Sequence, residues 1–365
     1  MSRVKGQNMS TGRRTIHTLV MGLLLVACNV GQGSGSADPT VSNGNPNNNS
    51  ATPTTAKTDA APTLSQYPTS TVKPFSSADL PKGQIYLGSY VKFGDPGKVY
   101  MMSTETGQLQ ELVDLPPDYQ SITLSPDAQM IAFSDYIHDT SNPSAQEFES
   151  VGIMSLDKSG LRYLTHDVAD ELAPAWSPDG KSVAFISNRV LGLDIYIVDI
   201  ATGHLVPVTL DFQNKLAFNE QCLSWSPDGK RIAFSATDTF QQNPPSHIYV
   251  INIDGSNRVD LTPNLDVKQA CPAWSPNGLR IAFSGNYDDK MYIVNDDGTN
   301  LVSLSYDNAS SMLHPIWSPD GKYITYSSDK DGHYNIYVTD ENGYNFLQLT
   351  HNSFDTIPLL WLPKK

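Results

Sequence analysis

Cysteine is scarce in this chain of 365 residues. The three that occur, Cys28, Cys222 and Cys271, nowhere form the Cys-x-x-Cys spacing of a metal knuckle or a redox motif. His-Glu-x-x-His is missing as well, as is a Gly-x-Ser-x-Gly elbow with room for an α/β-hydrolase domain around it. Neither a zincin-type nor a serine-hydrolase mechanism therefore has residues to carry it, and no catalytic motif is visible. Positive charge is in short supply: 24 Lys and Arg stand against 38 Asp and Glu, for a formal net charge of −14. A polyanion needs a basic footprint that releases counterions, so nucleic acid is excluded as a partner. Long stretches of Ala, Leu, Glu and Lys at helical spacing are also lacking. The first 80 or so residues hold almost nothing that could form a core, which leaves about 285 for the folded part.

What the chain does have begins with Arg13 and Arg14, followed by an apolar run from Ile16 to Ala27. This is the basic-then-apolar layout of a signal peptide. A run of about a dozen residues is too short to cross ~30 Å of hydrocarbon, so a permanent transmembrane helix is not expected. It ends in Leu25-Val26-Ala27-Cys28, which resembles the lipobox of bacterial lipoproteins. The resemblance implies a leader of residues 1–27 and a mature N-terminus at Cys28 whose sulfur carries a diacylglycerol. Acyl chains worth ~0.8 kcal/mol per buried methylene make such an anchor effectively permanent. Loss of a leader bearing Arg3, Lys5, Arg13 and Arg14 and no acid leaves the mature chain more acidic still. The paired arginines also suit the twin-arginine route. Gly12 before them and Ile16-His17 after them fit that motif poorly, and the general secretory route is favoured. Met9 is an alternative start that alters nothing downstream.

Residues 28–82 are rich in Gly, Ser, Thr, Asn, Pro and Ala. Such a segment cannot bury enough apolar surface to offset its ordering entropy and is expected to be a disordered tether. At some 50 residues its r.m.s. reach is roughly 40 Å.

Beyond the tether the sequence repeats. "AWSPDGKSVAF" at 175–185 returns as "SWSPDGKRIAF" at 224–234, "AWSPNGLRIAF" at 273–283 and "IWSPDGKYITY" at 316–326, with a degenerate "TLSPDAQMIAF" at 123–133. Each copy is followed by a pattern of the type "IYIVDIATGHLVPVTL". Ser-Pro-Asp-Gly suits a tight turn: proline presets φ, aspartate bonds its own backbone, and glycine accepts positive φ. Each unit thus spells four short strands, a to d, with a second hairpin at Gly107, Gly160, Gly203, Gly255, Gly298 and Gly343. Trp176, Trp225, Trp274 and Trp317 end strand a, where a large flat side chain can fill the gap between wedge-shaped sheets. Six hairpins face only five Ser-Pro turns. Closure supplies the difference: strands at 84–90, 98–103 and 109–114 make three quarters of a blade, and "IPLLWLP" at 357–363, with Trp361, completes it. The fold class is all-β, a six-bladed β-propeller over 83–363 closed by its C-terminal strand and preceded by a signal peptide and a disordered linker.

The Trp-Ser-Pro-Asp-Gly repeat resembles the propeller repeat of the TolB family, which is shared with propellers of prolyl-oligopeptidase relatives and is WD40-like in style. That family's α/β domain before the propeller is replaced here by the tether, which puts a role in the Tol-Pal system in doubt. The resemblance implies the fold and a tendency to bind proteins or small ligands.

Strand a of a propeller runs beside the central channel, so residues just before each tryptophan are candidates for its mouth. Five positions before the Trp stand Glu171, Glu220, Gln269 and Met312; Asp355 is near the matching place in the closing strand, and His314 lies three before Trp317. Converging carboxylates with a histidine favour a hard divalent cation such as calcium, or a polar ligand, although no cofactor is required. "SDKDGHYN" at 328–335 contains a fragment of a calcium loop without its later ligands, and reads as a strand b to c turn. The longer b to c insertions at 134–152 and 235–248 are candidate partner surfaces, with Tyr136, Phe148 and Phe240 as aromatic anchors. Cys222 and Cys271 stand three residues before tryptophans of adjacent repeats. A disulfide is possible in an oxidising compartment, but it needs Cα atoms within ~4.4–6.8 Å, so two buried free thiols are the preferred expectation.

These readings point to a monomeric, membrane-anchored extracytoplasmic lipoprotein, at the cell surface or in the periplasm. Its propeller binds a protein or cell-envelope component and touches the membrane only through the lipid. The alternative is a metal-dependent enzyme acting on a carbohydrate or lactone at the channel mouth.

Overall fold

The computed structural model describes residues 76–364 except 90–96, 117–118, 138–147, 167–168, 191, 210–215, 239–244, 287 and 306–310, and omits the side chains of 137, 216–221, 238 and 286. The leader, Cys28, the tether and Phe240 lie outside the described residues. Among those described, no helix is long and apolar enough to cross a membrane.

Six four-stranded antiparallel sheets form the blades. Their inner strands, a, are Thr356–Pro363 in blade 1, Tyr119–Leu124 in blade 2, Glu171–Trp176 in blade 3, Leu216–Trp225 in blade 4, Lys268–Trp274 in blade 5 and Leu313–Trp317 in blade 6. Each inner strand lies against the next, and blade 6 meets blade 1, so the ring is continuous. Blade 1 is built as the repeat count requires. Strand a comes from the C-terminus and pairs antiparallel with Gly83–Ser89, setting Ile85 opposite Trp361 and Gln84 opposite Leu362. Lys364 extends the clasp by donating its backbone N–H to Lys82 O at 2.9 Å.

The Ser-Pro-Asp-Gly turns form for the reasons the sequence supplies. In blade 3, Ser177 Oγ donates to Asp179 Oδ1 at 2.7 Å and Gly180 N donates to Ser177 O at 2.9 Å. That closure places Gly180 at φ +70, a conformation that glycine adopts freely. In blades 3 to 6 strand b then carries a buried aromatic, and strand c sets a tyrosine directly opposite it. Phe185 stacks on Tyr196, Phe234 on Tyr249, Phe283 on Tyr292 and Tyr326 on Tyr337, with ring centroids 5.4–6.0 Å apart.

The core lies between blades. Trp176 packs with Ala132, Val151 and Ile153 of blade 2, Trp274 with Val250 and Ile248 of blade 4, and Trp361 with Ile336 and Val338 of blade 6. Two indoles also reach the neighbouring inner strand: Trp225 Nε1 donates to Ala175 O and Trp317 Nε1 to Ala273 O, both at 3.0 Å. Arginines cover the rings of Trp274 and Trp317. Arg231 lies 4.7 Å over Trp274 while pairing with Asp296, and Arg280 lies 5.0 Å over Trp317 while pairing with Glu341.

Candidate functional site

The inner strands are not regular. In each blade the ladder between strands a and b shifts register, and in blades 3, 5 and 6 the shift holds a residue at positive φ three positions before the tryptophan: Ala173 (55°), Cys271 (46°) and His314 (53°). Cys222 falls inside the shift of blade 4, between Phe218 and Leu223. A bulge of this kind takes one residue out of the two-residue alternation and re-aims its side chain. Consecutive blades therefore present Cys222, Cys271 and His314 at one level of the inner ring.

There the structure departs from the preferred expectation of free thiols. The bulges bring the Cα atoms of Cys222 and Cys271 to 4.8 Å, and the pair is a disulfide joining blade 4 to blade 5. Regular strands would have held these residues farther apart, which is why spacing alone pointed to thiols. Among the described residues, the group of three or more potential metal donors within reach of a common centre is Cys222, Cys271 and His314, whose donor atoms lie within 4.8 Å of one another. His314 Nδ1 is sealed from solvent and has no hydrogen-bond partner. Burial pushes its imidazole down to about 4, so the ring is neutral at physiological pH.

The carboxylates do not join this group. Glu171 is fully buried, ion-paired to Arg189, and its Oε2 accepts the backbone N–H of Val151 in the preceding blade at 3.4 Å. Gln269 is likewise buried. It accepts Thr262 Oγ1–H at 2.6 Å, donates Nε2–H to Leu265 O at 3.3 Å, and exchanges backbone hydrogen bonds with the Ser246 hydroxyl at 2.6 and 2.7 Å. Thr262, Leu265 and Ser246 all belong to blade 4 or its exit. In blades 3 and 5 the position five before the tryptophan is thus a latch to the preceding blade, and the expectation of a channel mouth there is corrected for Glu171 and Gln269. Met312 is buried in the apolar core with Tyr326 and Trp317. Asp355 accepts the backbone N–H of Tyr334 at 2.8 Å, which ties the closing strand to blade 6. The side chain of Glu220 lies outside the described residues.

Sequence reading missed the partner of that latch, a threonine after strand d in blades 2, 3, 4 and 6. Thr165, Thr209, Thr262 and Thr350 accept the N–H of Val151, Ile195, Ile248 and Ile336 at 2.8–3.0 Å, the first residues needing a partner beyond the d strands. The recurrent Leu-Thr or Val-Thr ending four of the repeats was the available signal. "SDKDGHYN" is the b to c turn expected of it: Gly332 N donates to Asp329 O at 2.8 Å, and Asp331 Oδ2 accepts the Tyr337 hydroxyl at 2.6 Å. Tyr136 and Phe148 are half-buried on strands b and c of blade 2.

Comparison with known proteins agrees with this architecture. The family described as the TolB beta propeller domain matches residues 218–359. The chain carries a TolB-like β-propeller. A structure from Agrobacterium tumefaciens assigned as TolB superposes on the TolB-like ring with a TM-score of 0.54 at 16% identity, over 78% of this chain and 99% of that one. An oligogalacturonate lyase in complex with manganese gives 0.50 at 17% identity, over 74% of each chain. In sequence, the chain is 29% identical over 123 residues to an uncharacterized peptidase, YuxL, of Bacillus subtilis, covering 26% of this chain and 19% of that protein. The chain thus spans about a fifth of that relative's length.

Proposed function

We propose that the protein is a lipid-anchored extracytoplasmic binding module, with Cys28 as the acylated N-terminus, residues 28–82 as the tether and the propeller as the recognition head. The observation that carries the reading is the Cys222–Cys271 disulfide. Disulfides persist outside the reducing cytoplasm, and this agrees with the leader and lipobox in the sequence. For binding, the support is a rigid ring whose blades are latched by buried polar pairs, with its longest connections on the end where strands b pass to strands c. Loops on rigid scaffolds are where recognition concentrates, and the partner class that suits them is an envelope protein or cell-wall component.

Photo-crosslinking in intact cells tests this directly. A crosslinker in place of Phe148, at the b to c end, should give a discrete adduct. The same group at Thr202, in the c to d turn at the opposite end, should give none. Adducts from both positions in equal yield, or from neither, would contradict recognition by that end of the ring. The runner-up expectation, a metal-dependent enzyme on a carbohydrate or lactone, rested on converging acids. With Glu171 and Gln269 engaged in latches, the binding reading has the greater support.

A further inference from the structure

Two cysteines and a histidine on three consecutive inner strands form a chemical group that docking at the loops does not use. Every potential donor here is a soft or borderline one: two sulfurs and an imidazole nitrogen, with no carboxylate within their reach among the described residues. His314 is the telling member. A neutral ring whose Nδ1 is shut off from water and unpartnered is costly to keep, because a buried polar atom without a hydrogen bond forfeits its hydration. A ring nitrogen of this residue lies within 4.8 Å of both sulfurs, and the bulge holds its backbone at φ 53.

We propose that this group is a redox-gated site for a thiophilic d10 cation, zinc above all, closed while Cys222 and Cys271 are bonded and assembled when they are reduced. Reduction by a dithiol moves two electrons and two protons to the protein. The Cys222–Cys271 bond breaks, two thiols form, and the reductant closes to its own disulfide. Zinc then displaces both thiol protons into solvent and takes two thiolates and the neutral His314 nitrogen as ligands. Two sulfurs and one nitrogen at about 2.3 and 2.0 Å from the metal lie roughly 3.3–3.8 Å from one another, so the sulfurs separate and the ring moves in by about an ångström. Three protein ligands leave the fourth tetrahedral position open. Cys222 and His314 are partly buried as whole residues and Cys271 is 5% exposed. The inference stands apart from the anchoring and docking reading, since it needs neither the lipid nor a partner.

The test uses the full-length chain carrying Cys28→Ala, so that two thiols remain, reduced with a phosphine and titrated with zinc without oxygen. One zinc per chain is expected after reduction and none before it. Cobalt in place of zinc should show a sulfur-to-metal charge-transfer band. His314→Ala should weaken zinc binding on the order of 100-fold, and Cys222→Ser should abolish it. The double variant Cys222→Ser/Cys271→Ser, melted alongside, shows whether the ring survives without the bond. The proposal is overturned if the reduced chain binds no zinc, if His314→Ala binds it unchanged, or if the propeller unfolds once the bond is gone.

Discussion

Thr262 of blade 4 hands its hydroxyl proton to Gln269 of blade 5 at 2.6 Å, while its oxygen accepts the N–H of Ile248 at 3.0 Å. One side chain thereby finishes a strand and fastens the next blade. Replacing Gln269 with Leu leaves that hydroxyl without an acceptor and Leu265 O without its donor. A loss of about 1–3 kcal/mol is expected in chemical denaturation, the usual cost of orphaning a buried polar group. Thr262→Val should cost a similar amount, and the double variant less than the sum, since both remove one interaction.

The clasp invites a second test. Trp361 is 3% exposed and packs among Ile85, Leu87, Ile336 and Val338, so it holds the first blade to the last. Trp361→Ala should cost about 3–5 kcal/mol. Removal of residues 356–365 deletes the whole inner strand of blade 1 and should abolish cooperative melting, because the strand Gly83–Ser89 then becomes an open edge. A truncated chain that melts cooperatively near the parent temperature would show that the ring does not depend on its clasp.

Glu149 gives a pH signature. Desolvation, with help from Asp170 and Asp135, raises its carboxyl from 4.5 to about 7, and its Oε2 has no partner. The folded state therefore disfavours the ionised form. The cost is absent below about pH 4.5, grows between 4.5 and 7, and is constant above. Glu149→Gln should stabilise the protein by about 1–3 kcal/mol at pH 8 and by almost nothing at pH 4. A gain independent of pH would contradict this account of the buried carboxyl.

In the degenerate repeat Ala128 takes the place that glycine holds elsewhere, at φ 55 where Gly180 has 70. A side chain in the left-handed region costs about 1 kcal/mol, so Ala128→Gly should raise stability by roughly 0.5–1 kcal/mol, less whatever its buried methyl contributes to packing. Differential scanning calorimetry resolves a gain of that size.

The blades, their count and their closure were legible because each rests on local chemistry: the Ser-Pro-Asp-Gly turn, the glycine hairpin between strands c and d, and a lone C-terminal strand with its own tryptophan. The site was half legible. His314, Cys222 and Cys271 could be singled out by their distance from tryptophan, but not brought together. Their meeting depends on bulges, and nothing in Ala173, Cys271 or His314 announces a left-handed backbone as a glycine would. The latch is illegible in sequence for a related reason. An acid or amide near the start of an inner strand looks alike in sequence whether it faces the axis or the neighbouring blade, and only the threonine at 1 to 5% exposure beyond strand d of blades 2, 3, 4 and 6 distinguishes the two.

The central claim, an acylated head held outside the cytoplasm, is tested most directly by the intact mass of the protein taken from its own membranes. The account predicts a chain beginning at Cys28, heavier than the peptide by a lipid modification and lighter by the two hydrogens lost in the Cys222–Cys271 bond. A chain that retains residues 1–27, carries no acyl group and has both thiols free would contradict it.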